Sequence, residues 1–146
     1  GFVVGDSVII QYIKHNARAQ IFSASITPAS LGAVNKALEI IQTEPQRRER
    51  LWEITHTMNK ELTAMGYHTG NTETAIIPVF IRDEEKTFKL WHFLRDFGIF
   101  TNPVTDPAVP PQEALIRTSF TATHTDEQVK FILKGFYEGG KALGII

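Results

Sequence analysis

From Pro45 onward, glycine and proline cut the chain into segments of differing hydrophobic period, and those segments allow few folds. Pro45 opens a helix, since a proline in the first turn gives up an N–H that would be unpaired anyway. Leu51, Ile54, Met58, Leu62 and Met65 recur at helical spacing behind it, and Gly66 is placed to end it. Ile76–Ile81 reads as a strand, with Pro78 favouring an edge or a bulge. Glu84–Phe97 reads as a helix carrying Phe88, Trp91 and Leu94 on one side, stopped by Gly98. Ile99–Val104 and the run Ala114–Phe120 read as two more strands, separated by a stiff Pro107-Ala108-Val109-Pro110 loop. Thr125 with Gln128 three residues on makes a capping box for a last helix, whose buried face is Val129, Ile132, Leu133 and Phe136. Gly139-Gly140 is expected to fray it. The order helix, strand, helix, strand, strand, helix predicts an α/β small domain over 45–146, in which helices cover a mainly antiparallel sheet.

Residues 1–44 have a different character. Gly1-Phe2-Val3-Val4-Gly5 reads as a strand, and Asp6 or Ser7 caps a short helix bearing Val8, Ile9, Tyr12 and Ile13. Gln20–Ser23 reads as a brief strand. Thr27 then caps a helix with Pro28 at its first position and Leu31, Val34, Leu38 and Ile41 as its buried stripe. Ser23, Ser25 and Thr27 place hydroxyls just before that helix, where free N–H groups and the helix dipole favour an anion. Capping by Thr27 and local backbone bonds from the serines explain the same hydroxyls, and the sequence alone favours that reading.

Arg117 interrupts the run Ala114–Phe120, which otherwise reads as a buried strand. A guanidinium stays charged at any working pH, and its planar fork of donors matches a carboxylate in two parallel hydrogen bonds. Two readings stand side by side. One is a cation on a rigid strand presented to a small anion. The other is an edge-strand arginine facing water or an internal acid, and the run alone favours the second.

Composition removes several function classes. A net charge of -1 leaves no field for nucleic acid or an anionic membrane, and the Arg47-Arg48-Arg50 cluster is interleaved with Glu44 and Glu49. With no cysteine, thiolate catalysis and cysteine zinc sites are excluded. His15, His56, His68, His92 and His124 are scattered, with no helical pair at metal-ligand spacing, so no metal site is expected. No apolar run approaches the roughly 20 residues that cross a bilayer. There is also no signal-like N-terminus, so a cytoplasmic protein is the expectation.

An ordered series of short motifs resembles the α-oxoamine synthases, pyridoxal 5'-phosphate enzymes of the aspartate-aminotransferase-like fold (fold type I). The series is Gly1-Phe2-Val3-x-Gly5, Tyr12-Ile13-Lys14-x-x-Ala17-Arg18, Phe22-Ser23-x-Ser25-x-x-Pro28, Ile77-Pro78-Val79, Gly98-Ile99-Phe100, Pro107-x-Val109-Pro110, the arginine strand, and Ala122-Thr123-His124-Thr125. Phe22–Ser30 and Leu115-Ile116-Arg117 resemble the serine palmitoyltransferase branch more than 8-amino-7-oxononanoate synthase or glycine C-acetyltransferase. Thr27 stands where many members have a second proline, and Ala108 where they have threonine.

The resemblance implies a decarboxylative Claisen-type condensation of an amino acid with an acyl-CoA in a homodimer. It implies that Arg117 binds the amino-acid carboxylate and that Ser23 donates to the cofactor phosphate, usually that of the neighbouring subunit. His124 is expected to be structural. The family's Schiff-base lysine would lie upstream of Gly1, and no lysine here matches its position. The resemblance therefore implies the C-terminal part of an enzyme, inactive alone and holding no catalytic residue. In that reading residues 1–44 are a remnant of the large domain with its connecting helix, and 45–146 are the small domain. A non-catalytic small-molecule-binding or dimerisation module is the alternative of another class.

Overall fold

The computed structural model describes residues 3–22 and 26–146. Contacts divide the chain into two compact units, 1–43 and 44–146.

Among the described residues of the first unit, all regular structure is helical. Helix α1 spans Ser7–Asn16, α2 spans Arg18–Ile21 and α3 spans Pro28–Thr43. The strand expected at Gln20–Ser23 is not found over its described part. Instead Ile21 N–H returns to the Ala17 carbonyl (3.1 Å) and Phe22 N–H to Arg18 (3.0 Å), closing a helical turn. Val3 and Val4 carry no strand either. Thr27 caps α3 as expected, its Oγ1 accepting from Ser30 N–H at 3.3 Å. The stripe Leu31, Val34, Leu38 and Ile41 lies along α3 but is half exposed, at 48–58% of each residue's surface.

The second unit is built from α4 (Pro45–Ala64), β1 (Ile76–Phe80), α5 (Glu84–Phe97), β2 (Asn102–Val104), β3 (Leu115–Ser119) and α6 (Asp126–Ala142). The three strands form one antiparallel sheet in the order β1-β3-β2. Pro78 therefore sits on an edge strand, where its missing N–H leaves no ladder bond unmade. β2 is shorter than the run Ile99–Val104 because the start of that run still closes α5. Gly98 takes the left-handed conformation (φ 96°), and Ile99 N–H returns to the Leu94 carbonyl at 2.8 Å.

Side chains alternate across a strand, so the register assigns each face. Ile77 and Val79 lie opposite Thr118 and Ile116, and all four are buried. Against them pack Ile54, Met58 and Leu62 of α4, Leu90 and Leu94 of α5, and Val129 and Phe136 of α6. Helices thus cover one face of the sheet. Tyr67 bridges the layers, donating its hydroxyl to the Phe136 carbonyl at 2.8 Å, and burial pushes its pKa upward. Arg50 of α4 holds the start of α6 through Asp126 and the His124 carbonyl.

Helix α6 does not fray at Gly139-Gly140; it runs on to Ala142. These glycines are close-approach positions. A Cβ at Gly139 would come within 2.8 Å of Leu90 Cδ1, and one at Gly140 would collide with the Tyr67 hydroxyl.

Candidate functional site

Arg117 stands on the central strand of the sheet, not on an edge. Its neighbours in sequence, Ile116 and Thr118, point into the core, so alternation sends Arg117 to the opposite, uncovered face. It is exposed there. Among the described residues it has no ion-pair or side-chain hydrogen-bond partner, although every other strand-borne polar group near it is neutral. The internal acid that the sequence left open is therefore not found among them.

The strand is held firmly beneath this cation. Thr118 Oγ1 donates to the buried Ile77 carbonyl at 2.9 Å, tying β3 to β1. On the other side, Trp91 Nε1 of α5 donates to the Thr101 carbonyl at 3.0 Å, anchoring the entry to β2. Cross-strand register places Pro78 opposite Arg117 on β1 and Asn102 opposite it on β2. The uncovered face therefore presents one row: a rigid apolar ring, a guanidinium and a carboxamide. Sequence reading left Asn102 unmarked, because no local pattern records which residue of β2 meets Arg117.

Such a row can bind a small planar anion. The guanidinium supplies two parallel N–H donors and a fixed charge, on a strand that cannot swing away. Its exposure means that any anion binding there stays partly hydrated unless something else covers the face.

Other features lie apart from this row. A cleft of about 360 Å³ opens between Gly98–Thr101, Phe120, His124 and Phe131 of α6, and a groove of about 540 Å³ runs between His68, Phe80, Arg82 and Glu113. Neither includes Arg117. His124 Nδ1 accepts from Thr121 N–H at 3.1 Å, so this histidine stabilises the turn leading into α6. Ser23 and Ser25 lie outside the described residues.

Comparison with known proteins follows the whole chain. The aminotransferase class I and II family profile matches residues 1–136. A serine palmitoyltransferase of Sphingobacterium spiritivorum is 51% identical over 129 residues, covering 88% of this chain and 32% of that protein. An 8-amino-7-oxononanoate synthase of Symbiobacterium thermophilum is 39% identical over 146 residues, covering 100% of this chain and 37% of its own length. Among solved structures, a high-resolution structure of SPT with its PLP internal aldimine superposes with a TM-score of 0.89 at 30% identity. That match covers 98% of this chain and 36% of the other. The chain therefore spans about a third of the length of the relatives it matches. Its fold is the corresponding part of the aminotransferase fold, type I.

Proposed function

The chain belongs to the aminotransferase class I and II family, and on that premise we propose that it forms part of a pyridoxal-phosphate-dependent acyltransferase resembling serine palmitoyltransferase. In this reading residues 1–44 belong to the large domain and 45–146 form the small domain. The enzyme is a cytoplasmic homodimer that condenses an amino acid with an acyl-CoA. The amino-acid Cα bonds to the acyl carbon, and carbon dioxide and free CoA leave.

The observation that carries the proposal is Arg117, an exposed cation on the central strand with no acid paired to it among the described residues. It takes the amino-acid carboxylate in two parallel hydrogen bonds. Gripping that group sets which bond to Cα is aligned for cleavage, a gain in orientation rather than in charge. Pyridoxal phosphate, when bound, supplies the electron sink for the carbanion at Cα. The Ser23 hydroxyl is assigned to the cofactor phosphate of the neighbouring subunit.

The described residues fit the substrate side of this chemistry. Every lysine of the chain stands on a helix, and none on a strand of the sheet that bears Arg117. Among the described residues, the strands of this sheet offer no amine to the cofactor's aldehyde. The contribution of Arg117 is therefore to bind and orient the amino acid. Relatives named 8-amino-7-oxononanoate synthase support the second reading, in which the same chemistry runs on other substrates.

Thiol release from long- and short-chain acyl-CoAs, measured with serine, glycine and alanine on the complete protein, separates these readings. Serine with a long-chain acyl-CoA is expected to give the highest specificity constant. A preference for alanine would shift the assignment to the oxononanoate synthase chemistry. Cofactor binding without thiol release from any pair would point instead to a binding module.

A further inference from the structure

The row on the uncovered sheet face contains a second polar group, and we propose that Asn102 is a substrate-positioning residue that shares the carboxylate with Arg117. This inference rests on the reading of Arg117 as the carboxylate site and adds to it the residue that completes the grip. Asn102 is the register partner of Arg117 across the β2–β3 pair. Directly opposed residues of an antiparallel pair point to the same face with Cβ atoms about 4.5–5.5 Å apart, within reach of one small ligand. Both side chains are exposed, and among the described residues neither is engaged in a side-chain hydrogen bond.

The chemistry of the pair is complementary. A carboxylate has about four lone-pair sites, and the guanidinium fork fills two of them. The carboxamide Nδ2 can donate to a third without adding charge. A third donor fixed at one side removes the rocking freedom that a fork alone leaves to the carboxylate. The position also has a stiff backbone. Pro103 follows it with φ locked, and the entry to β2 is tied to α5 through the Trp91 bond to the Thr101 carbonyl. Pro78 on the other side of Arg117 offers no side-chain donor, so the third bond can come only from the β2 side of this row.

The test uses two substitutions in the complete, cofactor-loaded enzyme beside Arg117→Lys. Asn102→Ala removes the donor. Asn102→Asp keeps the shape, replaces the donor by a carboxylate that repels the substrate's, and gives Arg117 an internal partner. The amino-acid dissociation constant is followed through the cofactor's absorbance, together with KM and kcat for the amino acid, KM for acyl-CoA and the melting temperature. Asn102→Ala is expected to weaken amino-acid binding about three- to tenfold, and Asn102→Asp by about a hundredfold or more. The KM for acyl-CoA and the melting temperature should stay as they are.

If Arg117→Lys weakens amino-acid binding while both Asn102 variants bind normally, Asn102 has no part in the site and the inference is overturned, with the arginine reading intact. If neither Arg117→Lys nor the Asn102 variants change amino-acid binding, the carboxylate site lies elsewhere and both readings fall. A drop in melting temperature with unchanged amino-acid binding would make Asn102 a strand-pairing residue only, which also overturns the inference.

Discussion

Single residues in this chain act by what their neighbours leave open to them. Gly140 has no side chain because Tyr67 and Ile146 occupy the space a Cβ would need, with Ile146 Cγ1 only 2.9 Å from that point. The Tyr67 hydroxyl that would be displaced is the one bonded to the Phe136 carbonyl, so the clash falls on a buried polar bond rather than on a free end. Gly140→Ala gains helix propensity of about 1 kcal/mol in α6 yet is expected to destabilise, because overpacking costs about 1–3 kcal/mol and the Tyr67 bond is strained as well. Chemical denaturation checks this: the midpoint should fall with the slope unchanged. A higher midpoint would mean that Tyr67 moves aside freely. Arg117 shows the opposite situation. Its neighbours leave it an uncovered face and neutral company, so its charge is available to a ligand.

At the scale of elements, α6 is the clearest case of local chemistry setting a boundary. Thr125 Oγ1 accepts from Gln128 N–H at 3.3 Å, and the Gln128 side chain accepts from Thr125 N–H at 2.9 Å. Thr125→Ala should destabilise the second unit by roughly 0.5–2 kcal/mol and expose the first turn of α6 to hydrogen exchange. Unchanged exchange there would show that Arg50, which also grips this end, holds the helix by itself. Elements with this kind of local signature were legible in the sequence. Helix α5 runs between Asp83 and Gly98, and its bounds follow from a cap and a left-handed glycine. The stripe of α4 is likewise buried at Ile54, Met58 and Leu62.

What could not be read depended on contacts distant in sequence. Gln20–Ser23 has strand-like composition, but with no partner strand among the described residues the backbone N–H groups of Ile21 and Phe22 close locally onto Ala17 and Arg18. The α3 stripe was visible as a pattern, yet a pattern states that a face is apolar and not whether it is buried. Gly139-Gly140 read as a weak helix end because the tight approach of Tyr67 and Leu90 is invisible in the local sequence. The site divides in the same way. Arg117 announces itself by breaking a run that otherwise reads as a buried strand, whereas the central place of β3 and the register that brings Asn102 beside it come only from the sheet.

At the scale of the whole molecule, the chain is about a third as long as the relatives it matches, and the chemistry proposed for it belongs to a larger enzyme. Its own contribution is a rigid platform: three helices hold one face of a small sheet, and the other face presents a cation. In the proposed enzyme this cation binds the amino-acid carboxylate. Arg117→Lys in the complete enzyme tests it most directly, because lysine keeps the charge and loses the fork. Losing one charge-assisted hydrogen bond costs about 1.5–3 kcal/mol, or roughly ten- to a hundredfold in kcat/KM for the amino acid. That loss is expected with the melting temperature and cofactor binding unchanged. A fall in melting temperature with kcat/KM intact in the folded protein would contradict it.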